Sequence, residues 1–308
     1  MFKAVLLLCA SLLIGNVSAQ EIIVIKSPYN ATHAGHAAFY KLIAHANQDQ
    51  KKYNFVLQLK PGAQGVIALH DMDKTPNESI AIIAAAFIEN YLTKQINKDD
   101  YVPITALGDA CWFLVSKVGD ERTGIASLEQ TTDELFIGGV GIGTAIHLLS
   151  FEIADKIKRP IEFISFKSAA EGNLLLVGDN KINMGLMPLH EYENLKAKNP
   201  KLKLLALHCD VRHPQAPDVK TTREQGIVSP PVFNTVVASV RMDPAKRKEI
   251  AAILDKAFLE IGQDEILDLS QFNPPIFNKV TVEDYHKAKT TMMESALKKR
   301  SSEIEKSR

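Results

Sequence analysis

Short β-branched or aromatic runs alternate with longer amphipathic stretches along almost the whole chain, and this rhythm constrains the fold more than any other feature. Ile22-Ile23-Val24-Ile25 reads as a buried strand. A polar loop from Lys26 to His33 follows, then Ala34 to Ala46 with apolar residues at helical spacing. Phe55-Val56-Leu57, stopped by Pro61-Gly62, and Ile80 to Ile83 repeat the strand. A second set begins after Val102-Pro103-Ile104. Strands are expected at Trp112–Val115, Leu135–Ile137, Ile161–Ile164, Ile182–Met184 and Leu202–Leu207, with helices at Ala145–Lys156, Ala169–Val177 and Leu189–Lys198. The pattern predicts an α/β protein built from two Rossmann-like units, each a parallel sheet covered by helices, sharing a hinge.

The rest of the chain extends this reading. Val232 to Val240 reads as a strand, and Asp243-Pro244 caps a helix with Ile250, Ile253, Leu254, Ala257, Phe258 and Ile261 on one face. A long terminal helix starts near Val282, where Thr281 and Asp284 form a capping box. The terminal cluster Lys298-Lys299-Arg300 with Glu303, Glu305 and Lys306 reads as a solvated face or frayed end. Ala216 to Gly226, behind Arg212-His213-Pro214, is expected to be a proline-stiffened crossover loop and then a short helix stopped by Gly226.

Residues 1–19 read as a cleaved leader: Lys3, an apolar core from Ala4 to Ile14, and Val17-Ser18-Ala19 as a small-residue cleavage site. The apolar core is shorter than the ~20 residues of a membrane span. Cys9 goes with the leader. Cys111 and Cys209 remain, and they either pair in an oxidising compartment or stay as two buried thiols. The 36 basic residues balance 36 acidic ones, which gives no electrostatic footprint for nucleic acid or an anionic membrane.

In open α/β sheets ligands bind beyond the carboxyl ends of strands, where helix N-termini present amides to anions. Four loops qualify. Ser27 to His36 offers Tyr29, Asn30, Thr32 and His33, with Thr32 as N-cap; His33 and His36 lack the further ligands of a metal site. Pro61-Gly62-Ala63-Gln64-Gly65 lets backbone amides approach a ligand, and it lacks the phosphate-loop pattern of nucleotide sites. Gly138 to Thr144, then Ala145-Ile146-His147, departs from a dinucleotide loop and reads as a helix N-terminus with Thr144 as cap; Gly143, Thr144, Ala145 and His147 are its candidates. Lys167 and Ser168 open the fourth.

These segments resemble, in order and spacing, those of the substrate-binding receptors of tripartite tricarboxylate transporters, the Bug receptors. Pro28-Tyr29 falls where the family has "PYxPGG", and Lys60 to Gly65 looks like "RPGAGG". Tyr101 to Thr105 is similar to "FxPVT", Gly141 to Leu148 to "GxGSPxHL", Phe166-Lys167-Ser168 to "YKG" and Ile182-Asn183-Met184 to "VDMM". Ala216 to Gly226 resembles "LPDVPTxxExG". The chain departs from the pattern at Thr32-His33 and His36, Leu59, Gln64, Ala145, Ser168 and Asn183, where the family has Gly-Gly then Asp, Asn, Gly, Pro, Gly and Asp.

The resemblance implies a two-lobed receptor of the type II periplasmic binding protein kind, with residues 20–104 and 233–308 in the first lobe and 105–232 in the second. Family ligands are small organic carboxylates, held by backbone amides and ordered waters of the first two loops and enclosed by the second lobe. Delivery is to a pair of membrane subunits. The expectation is a monomeric binding protein with no catalytic residue, cofactor or metal. A ligand-loaded adaptor docking on a membrane sensor, or an exported enzyme, stands as the alternative; no GxSxG elbow, zinc pattern or Ser-His-Asp order supports the enzyme.

Overall fold

The computed structural model describes residues 19–307 apart from 32–34, 49, 85, 93–94, 167–168, 179–180, 229 and 271. The leader expected at 1–19 therefore lies outside the described residues but for Ala19, as do Thr32, His33, Lys167 and Ser168.

Two sheets organise the described residues. The first combines β1 (Glu21–Ser27), β2 (Tyr53–Leu59), β3 (Ser79–Ala84), β4 (Tyr101–Ala110), β10 (Phe233–Ser239) and β11 (Phe272–Asn273) in the order β11-β4-β10-β3-β1-β2. The second combines β5 (Trp112–Ser116), β6 (Phe136–Val140), β7 (Glu162–Phe166), β8 (Met184–Met187) and β9 (Lys203–His208) in the order β7-β6-β8-β5-β9. Around them lie α1 (Gly35–Gln48), α2 (Val66–Met72), α3 (Ala86–Leu92), α4 (Ala145–Ile157), α5 (Ala169–Val177), α6 (Leu189–Lys196), α7 (Pro244–Ile261), α8 (Gln263–Ser270), α9 (Val282–Lys299) and α10 (Ser301–Lys306).

The two-lobed α/β architecture agrees with the sequence, but the sheets are mixed rather than parallel. β1 pairs in parallel with β2 and β3, and β6 with β7 and β8. β10 runs antiparallel to β3 and β4, and β5 antiparallel to β8 and β9. The cause is the crossing between lobes. β4 passes through Cys111 alone into β5, and the returning chain enters the first sheet as β10, so neither strand follows a helical crossover. β4 stays in the first sheet to Ala110, past the expected boundary at 104/105.

Alternation along the strands fills both faces of each sheet. Ile80 and Ile82 join the core under α1, α7 and α8, while Ala81 and Ile83 join the core under α2, α3 and α9. Leu114 faces the α4 side of the second sheet, and Phe113 and Val115 face the α5–α6 side. The caps behave as the sequence predicts: Asp243 accepts from the Lys246 amide at 2.8 Å, and Thr281 accepts from that of Asp284 at 3.1 Å.

One open alternative is resolved and two expectations change. Cys111 and Cys209 form a disulfide, with Cα atoms 4.8 Å apart, because they extend the antiparallel β5–β9 pair beyond Trp112 and His208. The segment before Gly226 is not a helix. Thr221 and Glu224 make a reciprocal cap, each accepting the other's amide at 3.0 and 2.8 Å, yet Gly226 at φ 79° ends it after one turn. Nor is the C-terminal cluster merely solvated. Arg300 is buried between α10 and α4, 2.9 Å from Glu152 and 3.2 Å from Glu303, and it also pairs with Asp155. Lys299 adds a 2.8 Å bond to Glu152, so α9 and α10 of one lobe clamp α4 of the other.

Candidate ligand cleft

Loops and strand ends from both sheets enclose a cleft of ≈ 690 Å³. The size suits a small organic molecule.

The first lobe supplies two loops. After β1, Pro28, Tyr29 and Asn30 line the cleft. Ser27 anchors this loop: its buried Oγ lies 2.8 Å from His36 Nε2 and accepts from the Tyr29 amide at 3.4 Å. Burial holds the His36 imidazole below its usual pKa, so the residue is a neutral brace. The Tyr29 hydroxyl donates to Asn234 Oδ1 on β10, and burial pushes its pKa up. Asn234 itself lines the cleft and is almost wholly buried.

The second loop, Pro61 to Gly65, lines the cleft along its whole length. Its backbone is unusual: φ is 118° at Gly62, 44° at Ala63, 49° at Gln64 and 100° at Gly65. Glycine adopts such values freely, whereas Ala63 and Gln64 each pay ~1 kcal/mol or more for the left-handed region. The turn is pinned by the Gly65 amide donating to the Gly62 carbonyl at 3.0 Å and by Asn90 Nδ2 donating to the Gln64 carbonyl at 3.2 Å. Among the described residues the amides of Ala63 and Gln64 have no acceptor. Successive amides in such a turn form a concavity that binds anions.

The second lobe meets this loop with the N-terminus of α4. Gly141, Thr144, Ala145 and Ile146 line the cleft. Thr144 occupies the N-cap position, but its hydroxyl donates to the Gly141 carbonyl at 2.9 Å instead of capping an amide. Gly143 and His147, both ligand candidates from sequence, are not among the described lining residues. The Gly143 amide donates to His147 Nδ1 at 2.9 Å, and the His147 ring lies wholly buried against Phe151 and Phe163, at 4.7 and 4.3 Å between centroids. Desolvation lowers its pKa to about 4, so it is a neutral brace for the loop. The amide-rich segments of the two lobes approach closely: Gln64 Nε2 lies 3.5 Å from the Ile142 carbonyl.

Sequence reasoning missed Trp112, Phe166, Met187, Glu191 and Asn234 as lining residues and Asn90 as the pin of the second loop. Asn234 had a signal, a lone amide in an otherwise apolar strand; Asn90 had none. Glu191 is the only charged side chain among the described lining residues.

No family model matches the chain, and no curated protein matches it by sequence. Solved structures do match. A TctC solute-binding protein from Polaromonas, without ligand, has a TM-score of 0.65 at 21% identity, covering 92% of this chain and 99% of its own. MatC from Rhodopseudomonas palustris, with bound malate, has a TM-score of 0.67 at 13% identity, covering 91% and 99%. The R. palustris protein Rpa4515, with adipate, has a TM-score of 0.71 at 17% identity, covering 90% and 96%. The chain thus has the two-lobed fold of the TctC-type periplasmic solute-binding proteins.

Proposed function

We propose that the protein is an extracytoplasmic receptor of the tripartite tricarboxylate transporter type, which captures a small organic carboxylate between its lobes and passes it to two membrane subunits. The observation that carries this reading is the pairing of two amide-rich segments across one cleft: the left-handed turn at Ala63-Gln64 and the N-terminus of α4. Both are anion sites by geometry, and the α4 dipole adds to the second. Asn30 and the 61–65 loop hold the carboxylate from the first lobe, and Thr144 and Ala145 close from the other. Thr32, His33, Lys167 and Ser168 remain candidates by sequence alone. The malate and adipate of two structural neighbours support the ligand class. The Cys111–Cys209 disulfide suits an oxidising compartment. No helix among the described residues is long and apolar enough to cross a membrane.

The test is a thermal-shift screen of the mature chain, unfolded and refolded to strip bound ligand. A carboxylate at a hundred times its dissociation constant adds ~2.7 kcal/mol of stability. The expected result is a raised midpoint with at least one carboxylate and none with its neutral amide. An equal response to acid and amide overturns the reading, as does turnover of the bound ligand.

A further inference from the structure

Beyond the loops just described, the cleft wall carries a run of apolar side chains, Trp112 and Phe166, Leu176 and Ile182, Leu186 and Met187, with Ser165, Glu191 and Asn234 as its described polar members. Most of these belong to the second lobe, where α5 lies over β6 and β8. The floor there is bare backbone. Gly138 and Gly185 are register partners on β6 and β8. A Cβ at Gly138 would strike the Phe166 ring at 2.5 Å, so that ring rests on Gly138. A Cβ at Gly185 would meet nothing closer than Leu176 Cδ2 at 3.6 Å. A narrow apolar slot bounded by Phe166 and Leu176 therefore opens at Gly185, itself a lining residue.

Desolvation sharpens the selection. A second carboxylate carried into this slot would lose its hydration beside methyl and ring carbons. The penalty for such an unpaired ion is several kcal/mol, far above what its added contacts return. An apolar body gains free energy in the same place, ~25 cal/mol for each Å² it removes from water.

We propose that the ligand is a monocarboxylate with a bulky apolar body, an arylalkanoic or medium-chain acid, rather than a compact di- or tricarboxylate. The inference rests on the carboxylate-receptor reading and deepens it. The carboxylate sits at the paired amide segments, and the body fills the slot over Gly185.

The experiment titrates the refolded, disulfide-bonded chain while following the fluorescence of Trp112, its only tryptophan and a cleft residue. The probes are octanoate, 3-phenylpropionate, suberate, citrate and octanamide. Octanoate and phenylpropionate are expected to bind about tenfold or more tighter than suberate or citrate, with octanamide weaker than octanoate. Suberate or citrate binding tighter than octanoate overturns this inference and leaves the carboxylate reading standing. Octanamide matching octanoate, or silence of the whole panel, overturns the carboxylate reading and this inference with it. Gly185→Leu provides a second arm, since Gly185 is outside the left-handed region and a Cβ fits there. It should weaken octanoate about tenfold and leave propionate unchanged; equal losses for both acids contradict the slot. The wild-type panel decides the question even where that variant folds poorly.

Discussion

The Cys111–Cys209 disulfide offers a quantitative test of how the lobes are joined. The bond closes a loop with a sequence separation of 98, which contains the whole second sheet. In the chain-entropy description, cross-linking such a loop removes ~16 cal/mol/K from the unfolded ensemble, or ~4.7 kcal/mol at 25 °C. The perturbation is the double variant Cys111→Ala with Cys209→Ala, which also prevents mispairing. An unfolding entropy of ~2.1 cal/mol/K per residue gives a chain of this length ~0.6 kcal/mol/K, so the loss corresponds to a midpoint ~8 °C lower. The assay is urea unfolding followed by Trp112 fluorescence and by circular dichroism, with coincident curves required before free energies are taken. Neither cysteine lines the cleft, so ligand affinity should persist at temperatures where the variant is folded. A loss below ~1 kcal/mol with an unchanged denaturant slope would refute the reasoning, because the unfolded loop would then have little entropy for the bond to remove.

Other outcomes follow from buried charge and polar groups. His147, His208 and His286 are each lowered to about 4 by burial, against ~6.5 when unfolded. Between those values the unfolded chain binds protons that the native chain refuses, so stability is level above pH ~7 and falls as pH drops from ~6.5 toward 4. Each histidine contributes a slope of up to ~1.4 kcal/mol per pH unit, and stability that stays flat from pH 6.5 to 5 in urea titrations rejects the assignment. Arg300→Met removes the buried partner of Glu152 and leaves it Lys299 alone, and should cost about 2 kcal/mol by urea unfolding. The same change should loosen the α9–α4 clamp, read as faster hydrogen exchange in α4. Tyr29→Phe strands the buried Asn234 amide and should cost about 1–2 kcal/mol; a loss near zero would mean that water satisfies the amide.

The fold was largely legible because its signals are local. β-branched runs such as Ile80 to Ile83, and caps such as Asp243-Pro244, carry their own physics, and the structure places both as read. Strand direction was not legible, since it depends on where the chain crosses between lobes. Val232 to Val240 reads as a strand in either direction; only the passage through Cys111 and the return after β9 turn it against β3 and β4. The C-terminal charges were misread for a similar reason. Their partners Glu152 and Asp155 lie far back along the chain on α4, and no short-range pattern links them. The Thr221–Glu224 cap shows the opposite failure. A good local signal was present, but Gly226 leaves it a single turn, and a single turn does not propagate without further hydrogen bonds.

The cleft shows how far motif position carries and where side-chain chemistry takes over. The loops were found because strand-to-helix turns put amides where anions bind, which depends on backbone alone. Their selectivity depends on the departures, and Gln64 is the informative one. A glycine would adopt φ 49° without strain; glutamine adopts it at a cost, and its side chain spans the mouth toward the Ile142 carbonyl. That placement narrows the entrance beside the 61–65 loop, while Gly185 leaves room among the apolar side chains. A compact polyanion needs the reverse, a roomy polar end with several donors. A tapered acid with one anionic head and an apolar body fits the space as it is distributed, so strain at Gln64 and the bare floor at Gly185 point to the same ligand.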